Sequence, residues 1–148
     1  MRKISNSGKN IEHKYGKDEL SCQLILKTVK QKRTSMRAFA GERPARNRYT
    51  FAASQAKKRS FLVIEAVFTF TANQEKEHAE IFYNHLKELA GETITVDGTY
   101  PVDIHSSVEK LLRAAQHNEY EEHDDVYKNF GDKAKEEGFP KVAASFHM

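Results

Sequence analysis

The amino-acid sequence predicts an all-α fold, an antiparallel helical bundle in which a long crossover joins the second and third helices. Only 7 glycines and 3 prolines occur in 148 residues, and apolar residues recur at steps of three and four in three long segments. A stretch of extended character, residues 90–105, separates the second segment from the third. A chain of this length is sufficient for one domain with a buried core.

Cysteine content and hydropathy exclude several classes of protein. With Cys22 as its single cysteine, the chain has no disulfide framework, four-cysteine zinc site or iron–sulfur centre of its own. No apolar run approaches the length of a membrane span, and the N-terminal residues lack the apolar core of a signal peptide. We therefore expect an intracellular, cytoplasmic protein without a membrane partner.

Charge is distributed unevenly along the chain. Residues 1–37 contain 10 Lys and Arg against 3 Asp and Glu, whereas residues 38–148 contain 14 against 18. A basic arm can contact nucleic acid, but this one has no interleaved aromatic residues and no amphipathic order. A solvated tail is the favoured interpretation, and nucleic acid is not expected as a partner. We predict a basic, weakly ordered extension over residues 1–33 and one helical domain over residues 34–148.

The first helix is predicted to run from about Thr34 to about Lys58, with Glu42 on its apolar face and Tyr49 two turns further on. Pro44 disturbs this helix, because it has no N–H to donate and costs about 3 kcal/mol or more in a helix interior. Two outcomes are open. Either the helix kinks at Pro44, or its main segment begins there and leaves Glu42 just outside.

The second helix is predicted over residues 61–89, and its apolar face includes two polar residues. The apolar members of that face are Ile64, Phe68, Thr71, Phe82 and either Leu86 or Leu89. Glu75 and His78 complete the same series, one turn apart. A buried carboxylate and imidazole must be paired or bound to something, and a metal ion is the simplest partner. A Glu-x-x-His pattern on an inward helix face is typical of di-iron helical bundles.

The length of the connection after this helix indicates the order in which the helices of the bundle are connected. A 29-residue helix is about 44 Å long, and sixteen extended residues cover about 53 Å at most. Residues 90–105 can therefore travel the length of the bundle, as the crossover of a ferritin-like fold does. The third helix is predicted from about Ser106 to about Glu136. Its buried series contains Val108, Leu111, Ala115, Glu119, Glu122, Val126 and Phe130.

An internal repeat with a period of 78 residues relates the two halves of the chain. Tyr49, Ala56, Phe61, Ile64 and Phe68 recur as Tyr127, Ala134, Phe139, Val142 and Phe146. Pro140 is predicted to open a fourth helix, which the sequence leaves incomplete. Shifting Glu75 and His78 by the same period gives positions 153 and 156, beyond Met148. A second Glu-x-x-His pair is therefore not found in this sequence.

Six segments from about Met36 onward form a recognisable set of motifs: AFAGE (38–42), ARNRYTFAA (45–53), TANQEKEHA (71–79), PV (101–102), NEYEE (118–122) and KEEGF (135–139). Through these segments the chain resembles the ferritin-like di-iron domain of rubrerythrins. The resemblance implies iron ligation by Glu42, Glu75, His78, Glu119 and Glu122. Of these, Glu122 matches an additional carboxylate that in this family exchanges with the histidine numbered His78 here. Tyr49 and Tyr127 match tyrosines that hydrogen-bond to ligand carboxylates.

The same resemblance implies a function in oxidative stress and electron transport. It implies a non-haem di-iron peroxidase that reduces hydrogen peroxide to water, receives electrons from a rubredoxin and forms a homodimer. The four-cysteine rubredoxin domain that many members carry is absent here, so the electrons would come from a separate rubredoxin-like protein. Because the fourth-helix ligands are missing, a non-catalytic ferritin-like iron-binding module is the alternative. Two hairpins carrying Glu42, Glu75 and His78 could also complete a ligand set at a symmetric dimer interface.

Overall fold

A computed structural model describes residues 12–147, with side chains from residue 30 onward. Its helices are α1 (Glu12–Lys58), α2 (Leu62–Asn84), α3 (Val108–Glu121), α4 (Lys128–Glu136) and α5 (Pro140–Ala144). No strand occurs within the described residues, and the prediction of an all-α, ferritin-like helical bundle is confirmed. None of the helices in this part of the chain is both long and apolar enough to span a membrane.

Helices α1 and α2 pack as a hairpin through small side chains. Ala45, Ala52 and Ala56 of α1 are at least nine-tenths buried, and they form one core cluster with Phe68 and Ala72 of α2. Alanine side chains allow the two backbones to approach closely, so the larger Tyr49 and Phe68 rings can fill the remaining space. These two rings stack with centroids 6.3 Å apart. Val108 and Leu111 of α3 close the same cluster.

Helix α1 differs from the prediction at its start and at Pro44. It begins at Glu12, well before Thr34, and the part of the predicted weakly ordered extension that is described is helical. The straight-chain Lys, Gln, Glu and Leu residues of that part are good helix formers, and their propensity outweighs the lack of an apolar period. The helix also continues through Pro44. A start at Pro44 is therefore wrong, and Glu42 lies inside the helix.

The two hairpins turn in the same way, which gives the internal repeat a structural counterpart. Ser60 and Gly138 both adopt left-handed backbone conformations, with φ of 61° and 87°. The Phe61 N–H donates to the Ala56 carbonyl at 3.0 Å, and the Phe139 N–H donates to the Ala134 carbonyl at 2.9 Å. This is the Schellman arrangement that ends many helices. Each turn leads directly into the next helix, α2 in the first half and α5 in the second.

The predicted second and third helices differ from the observed ones in detail. Helix α2 ends at Asn84 rather than at Leu89, and a short 3₁₀ turn follows over Lys87–Leu89. Helix α3 begins after Ser107, whose hydroxyl accepts a hydrogen bond from the Lys110 N–H at 3.2 Å, so the N-cap is not Ser106. Beyond α3 the chain remains helical, but residues Glu122–Tyr127 form a π-helical segment before α4.

This π segment changes which residues face the core. Each π turn contains about one residue more than an α turn, so the buried position one turn after Glu122 moves from Val126 to Tyr127. Val126 is 41% exposed, and its predicted place in the buried series is wrong. Tyr127 instead packs against an aromatic cluster of Phe82, Phe130 and Phe146. That cluster fixes α5 against α2, where the rings of Phe82 and Phe146 lie 4.8 Å apart.

Polar contacts fix the crossover, residues 90–107, along α1 and α3. Arg37 of α1 contacts Asp97 at 3.2 Å. Further along, Arg48 lies 3.6 Å from Asp103, which accepts a hydrogen bond from the Asn118 side chain at 2.7 Å. These contacts join the crossover to both of the helices that it passes.

Candidate metal centre

Glu42 lies at the centre of the site. Its residue is fully buried, and one carboxylate oxygen accepts a hydrogen bond from the Tyr127 hydroxyl. The other oxygen, Oε2, has no hydrogen-bond partner among the described residues. Burial raises the pKa of Glu42 strongly, and the nearby Glu75 carboxylate adds to the rise. A metal ion would remove this penalty, because it would supply a positive partner for the unpaired oxygen.

Glu75 and His78 reach the same point from α2. The His78 Nδ1 lies 3.7 Å from Glu75 Oε2 and 4.0 Å from Glu42 Oε1. One ligand atom from each of these three residues lies within 4.8 Å of the others. Their spacing along α2 explains part of this, since residues three apart lie on one helix face.

The charges of this group are mutually dependent. Burial acts to raise the pKa of Glu75, but the interactions of its carboxylate with the nearby His78 and Glu42 side chains outweigh burial and lower it. The pKa of His78 is raised, chiefly by its contact with the Glu75 carboxylate. Without a metal, the three groups therefore favour a protonated Glu42 beside an ionised Glu75, and His78 takes up a proton more readily because its pKa is raised.

Glu119 and Glu122 approach from the third helical rod, α3 and the π segment. Both line a cavity of about 70 Å³, together with Glu75 and His78. Glu122 is half-buried, and burial, reinforced by the charges of Glu75 and Glu119, raises its pKa to about 6. Glu119 is more exposed. The structure therefore places four of the five predicted ligands around one cavity, and Glu42 within reach of two of those four.

Two tyrosine hydroxyls link α1 to α3 and the π segment, one in each direction. Tyr49 of α1 donates its hydroxyl hydrogen to Glu119, and Tyr127 of the π segment donates to Glu42 of α1. Seven residues separate Glu42 from Tyr49, but eight separate Glu119 from Tyr127. The π segment contains the additional residue, so both tyrosines can reach a carboxylate on the opposite rod. Each hydroxyl restricts the orientation of the carboxylate that it contacts.

The donor set fits a transition-metal ion. Carboxylate oxygens with an imidazole nitrogen suit iron, manganese or zinc. The buried Oε2 of Glu42, which has no hydrogen-bond partner among the described residues, is an oxygen ligand of this kind. Burying two carboxylates and an imidazole together in a protein core is costly unless a bound ion compensates their charges. We therefore take Glu42, Glu75, His78, Glu119 and Glu122 as the residues that would hold the metal.

Comparison with known proteins identifies the family. The family model described as Rubrerythrin matches residues 36–148 of this chain. The chain belongs to the rubrerythrin family. It is similar to the rubrerythrin of Clostridium perfringens, with 43% identity over 124 residues, covering 83% of this chain and 64% of that protein. The rubrerythrin of Porphyromonas gingivalis is 44% identical over 123 residues, covering 83% of this chain and 60% of that protein.

A further rubrerythrin, from Nitratidesulfovibrio vulgaris, is 36% identical over 124 residues and is matched over 63% of its length. The chain thus spans less than two-thirds of the length of these curated relatives. Membership of the rubrerythrin family agrees with the resemblance found in the sequence alone.

Two further residues at the site were not predicted from the sequence. His123 and Ser145 line the same cavity as the candidate ligands. His123 lies next to Glu122, but an α-helical periodicity turns it away from the buried face. The π segment, which that periodicity does not reveal, brings it to the cavity. Ser145 directly follows α5, and its hydroxyl shares a hydrogen bond with His85 Nε2 at 2.8 Å, which joins the C-terminal end of α5 to the C-terminal end of α2.

Proposed function

We propose that this protein is a rubrerythrin-type, non-haem di-iron oxidoreductase that reduces hydrogen peroxide with electrons from an external rubredoxin-like donor. The observation that carries the proposal is the convergence of Glu42, Glu75 and His78, with Glu119 and Glu122 around the adjoining cavity. Membership of the rubrerythrin family supports the choice of iron. A homodimer and a cytoplasmic location belong to the same proposal.

The chain's own residues would bind and position the metal pair. Glu42 and Glu75 would bring two carboxylates from neighbouring helices, and His78 would bring the imidazole. Glu119 and Glu122 would complete the set from the third rod. A reduced iron pair would supply the two electrons that, with two protons from solvent, convert hydrogen peroxide into two molecules of water.

Tyr49 and Tyr127 would restrict the carboxylates rather than react. Each hydroxyl is held against a carboxylate of the opposite rod, and burial raises the pKa of both tyrosines. They therefore remain protonated donors across the range in which the protein works. A carboxylate held in this way keeps its second oxygen available for a metal ion.

The experiment that tests the proposal is anaerobic loading of the full chain with Fe(II), followed by titration with hydrogen peroxide. We expect one peroxide consumed per oxidised iron pair, and renewed consumption after addition of a reduced rubredoxin. Glu75→Gln should abolish the consumption, whereas Glu77→Gln, at an exposed position of the same helix, should not change it. Iron-loaded protein that leaves hydrogen peroxide intact would contradict the proposal.

A non-catalytic ferritin-like iron-binding module is the second candidate. The observation that favours it is that His78 is the single imidazole in the tight group of ligand atoms within residues 30–147. One imidazole among carboxylates can bind one metal ion without completing a pair. In that case the chain would bind iron without consuming hydrogen peroxide, and the titration above separates the two candidates.

A further inference from the structure

A larger groove lies on the other side of Glu122. It has a volume of about 620 Å³ and is enclosed by α1, the crossover and the end of α3 with the π segment. Glu122 lines both this groove and the cavity of the metal centre. Sites for small organic molecules have volumes of about 300–1,000 Å³. Hydrogen peroxide, with two heavy atoms, leaves almost all of this groove empty.

The groove has an apolar wall and a cationic group. Its apolar lining includes Ala45, Tyr100, Val126 and Phe130, and Val126 and Tyr100 are about two-fifths exposed. The nearby Arg37 is already paired with Asp97. A ligand with an apolar body and a small polar group therefore matches this lining better than a polyanion does.

Arg48 is a cationic residue of the groove lining. Its side chain is only 17% exposed, and its buried Nε has no hydrogen-bond partner among the described residues. The nearest carboxylate oxygen, on Asp103, is 3.6 Å away and accepts a hydrogen bond from Asn118 instead. A buried donor left without an acceptor costs about 1–3 kcal/mol. The Nε atom has almost no surface that a ligand could reach, but the Arg48 side chain lines the groove and a guanidinium group carries five N–H donors. A ligand oxygen in the groove can accept a hydrogen bond from this group.

We propose that the groove binds organic hydroperoxides, with the organic group against Val126 and Phe130 and the hydroperoxide oxygens at Arg48, beside Glu122. This inference rests on the proposed function and extends its substrate class beyond hydrogen peroxide. The reaction balances as ROOH + 2 e⁻ + 2 H⁺ → ROH + H₂O. The O–O bond breaks, and the two electrons come from the reduced metal site, which the rubredoxin-like donor reduces again.

Two bulky substitutions fill the groove from opposite walls. Thr99→Trp acts from the crossover and Val126→Trp from the π segment, and both positions are exposed, so neither substitution overpacks the core. Leu112→Trp is the matched control, because Leu112 is also exposed on α3 but does not line the groove. If one blocking variant fails to fold, the other still tests the groove.

The first measurement is kcat/KM for cumene hydroperoxide and for hydrogen peroxide, with the iron-loaded full chain. We expect the cumene-to-hydrogen-peroxide ratio to fall about tenfold or more in both blocking variants, which corresponds to about 1.4 kcal/mol of lost transition-state binding. Leu112→Trp should keep the ratio of the unmodified chain. A ratio that is the same in all four proteins would overturn the inference while leaving reduction of hydrogen peroxide intact.

The second measurement does not depend on activity. Cumyl alcohol, the product of cumene hydroperoxide reduction, is added to the full chain, and its binding is followed by saturation-transfer difference NMR. We expect binding to the unmodified chain and to Leu112→Trp, and loss of binding in Thr99→Trp and Val126→Trp. Absence of binding to the unmodified chain, or equal binding by all variants, would overturn the inference. Groove-dependent binding without any peroxide reduction would support the groove as a ligand site and reject the proposed function.

Discussion

Glu42 shows how one residue combines fold and site. The sequence predicted it as a carboxylate on the apolar face of the first helix, and the structure buries it completely. What the sequence left open was its direction, because Pro44 lies two residues away. The helix continues through that proline, so the periodicity of the flanking residues was the better guide. Its role as a metal ligand remains a prediction.

A substitution at Glu42 tests the cost of burying this carboxylate. In the metal-free chain, burial raises the pKa of Glu42 from 4.5 to about 10. Between these values the unfolded state ionises the group and the folded state does not, so stability falls as pH rises. Below about pH 4.5, where both states are protonated, this cost disappears.

Glu42→Gln should therefore stabilise the metal-free chain at pH 8 by on the order of 1–3 kcal/mol and have little effect at pH 4. The glutamine amide copies the protonated acid and keeps an acceptor for Tyr127. Urea denaturation at the two pH values measures the difference, with Glu77→Gln as an exposed control on α2. Destabilisation at pH 8 would show that Glu42 is not buried at this cost.

The tyrosine hydroxyls provide a second prediction at this scale. Tyr127→Phe removes the single hydrogen bond that Glu42 receives from the opposite rod, which should weaken metal binding by about 1–3 kcal/mol. Tyr83→Phe is the control, because Tyr83 is 60% exposed. Competition for Fe(II) with a chelator of known affinity measures the change. Equal affinity in both variants would mean that the Tyr127 hydroxyl does not position Glu42.

At the scale of the elements, sequence periodicity predicted the buried faces well and their interruptions poorly. The face of α2 follows the predicted series through Phe68, Glu75 and Phe82, because nothing interrupts that helix. The buried series predicted for α3 and the π segment is correct at Val108 and Leu111, but it is wrong at Glu119, which is exposed, and at Val126. The π segment contains one residue more than an α-helix of the same length would, and the contacts of Tyr127 decide where that residue is accommodated. A search for α-helical periodicity does not detect such a residue. The five candidate ligands could thus be named from the sequence, but His123 and Ser145, which line the same cavity, could not.

The π segment gives a prediction that concerns the element as a whole. Deleting Asp125, an exposed residue in the segment, should remove the additional residue and leave one ordinary α turn between Glu122 and Tyr127. Tyr127 would then follow Glu122 by four residues, so its hydrogen bond to Glu42 and its place on the buried face should be kept. Deleting Asn129, in the regular α-helix that follows, puts the buried residues after it out of phase and should cost about 2–4 kcal/mol. Thermal unfolding of the two deletion variants measures the difference, and a loss of stability as large for the Asp125 deletion as for the Asn129 deletion would contradict this role of the π segment.

The turn between α1 and α2 carries an independent prediction. Ser60 has a left-handed backbone conformation that costs about 1–2 kcal/mol for a residue with a side chain, while its counterpart in the second hairpin is Gly138. Ser60→Gly should therefore raise the free energy of unfolding by about 0.5–1 kcal/mol. Ser54→Gly, within α1, should lower it by a similar amount. If both variants are destabilised, the turn is not strained as described.

At the scale of the whole molecule, two similar hairpins surround one polar site. The repeat and the long crossover could both be read from the sequence, since they depend on residue spacing and chain length. The groove beside Glu122 could not, because it is formed where α1, the crossover and the π segment meet. Arg48 lines that groove, and its buried Nε has no hydrogen-bond partner among the described residues. Burial of this kind depends on how all three parts pack together, so the sequence alone does not show it.

The convergence of acidic residues from three helical rods on one metal site is the claim on which the functional account depends. An anomalous difference map of the iron-loaded crystal, collected at the iron absorption edge, tests it most directly. The account predicts peaks enclosed by Glu42, Glu75, His78, Glu119 and Glu122. Iron bound at other side chains, or no ordered iron in crystals soaked at saturating Fe(II), would contradict it.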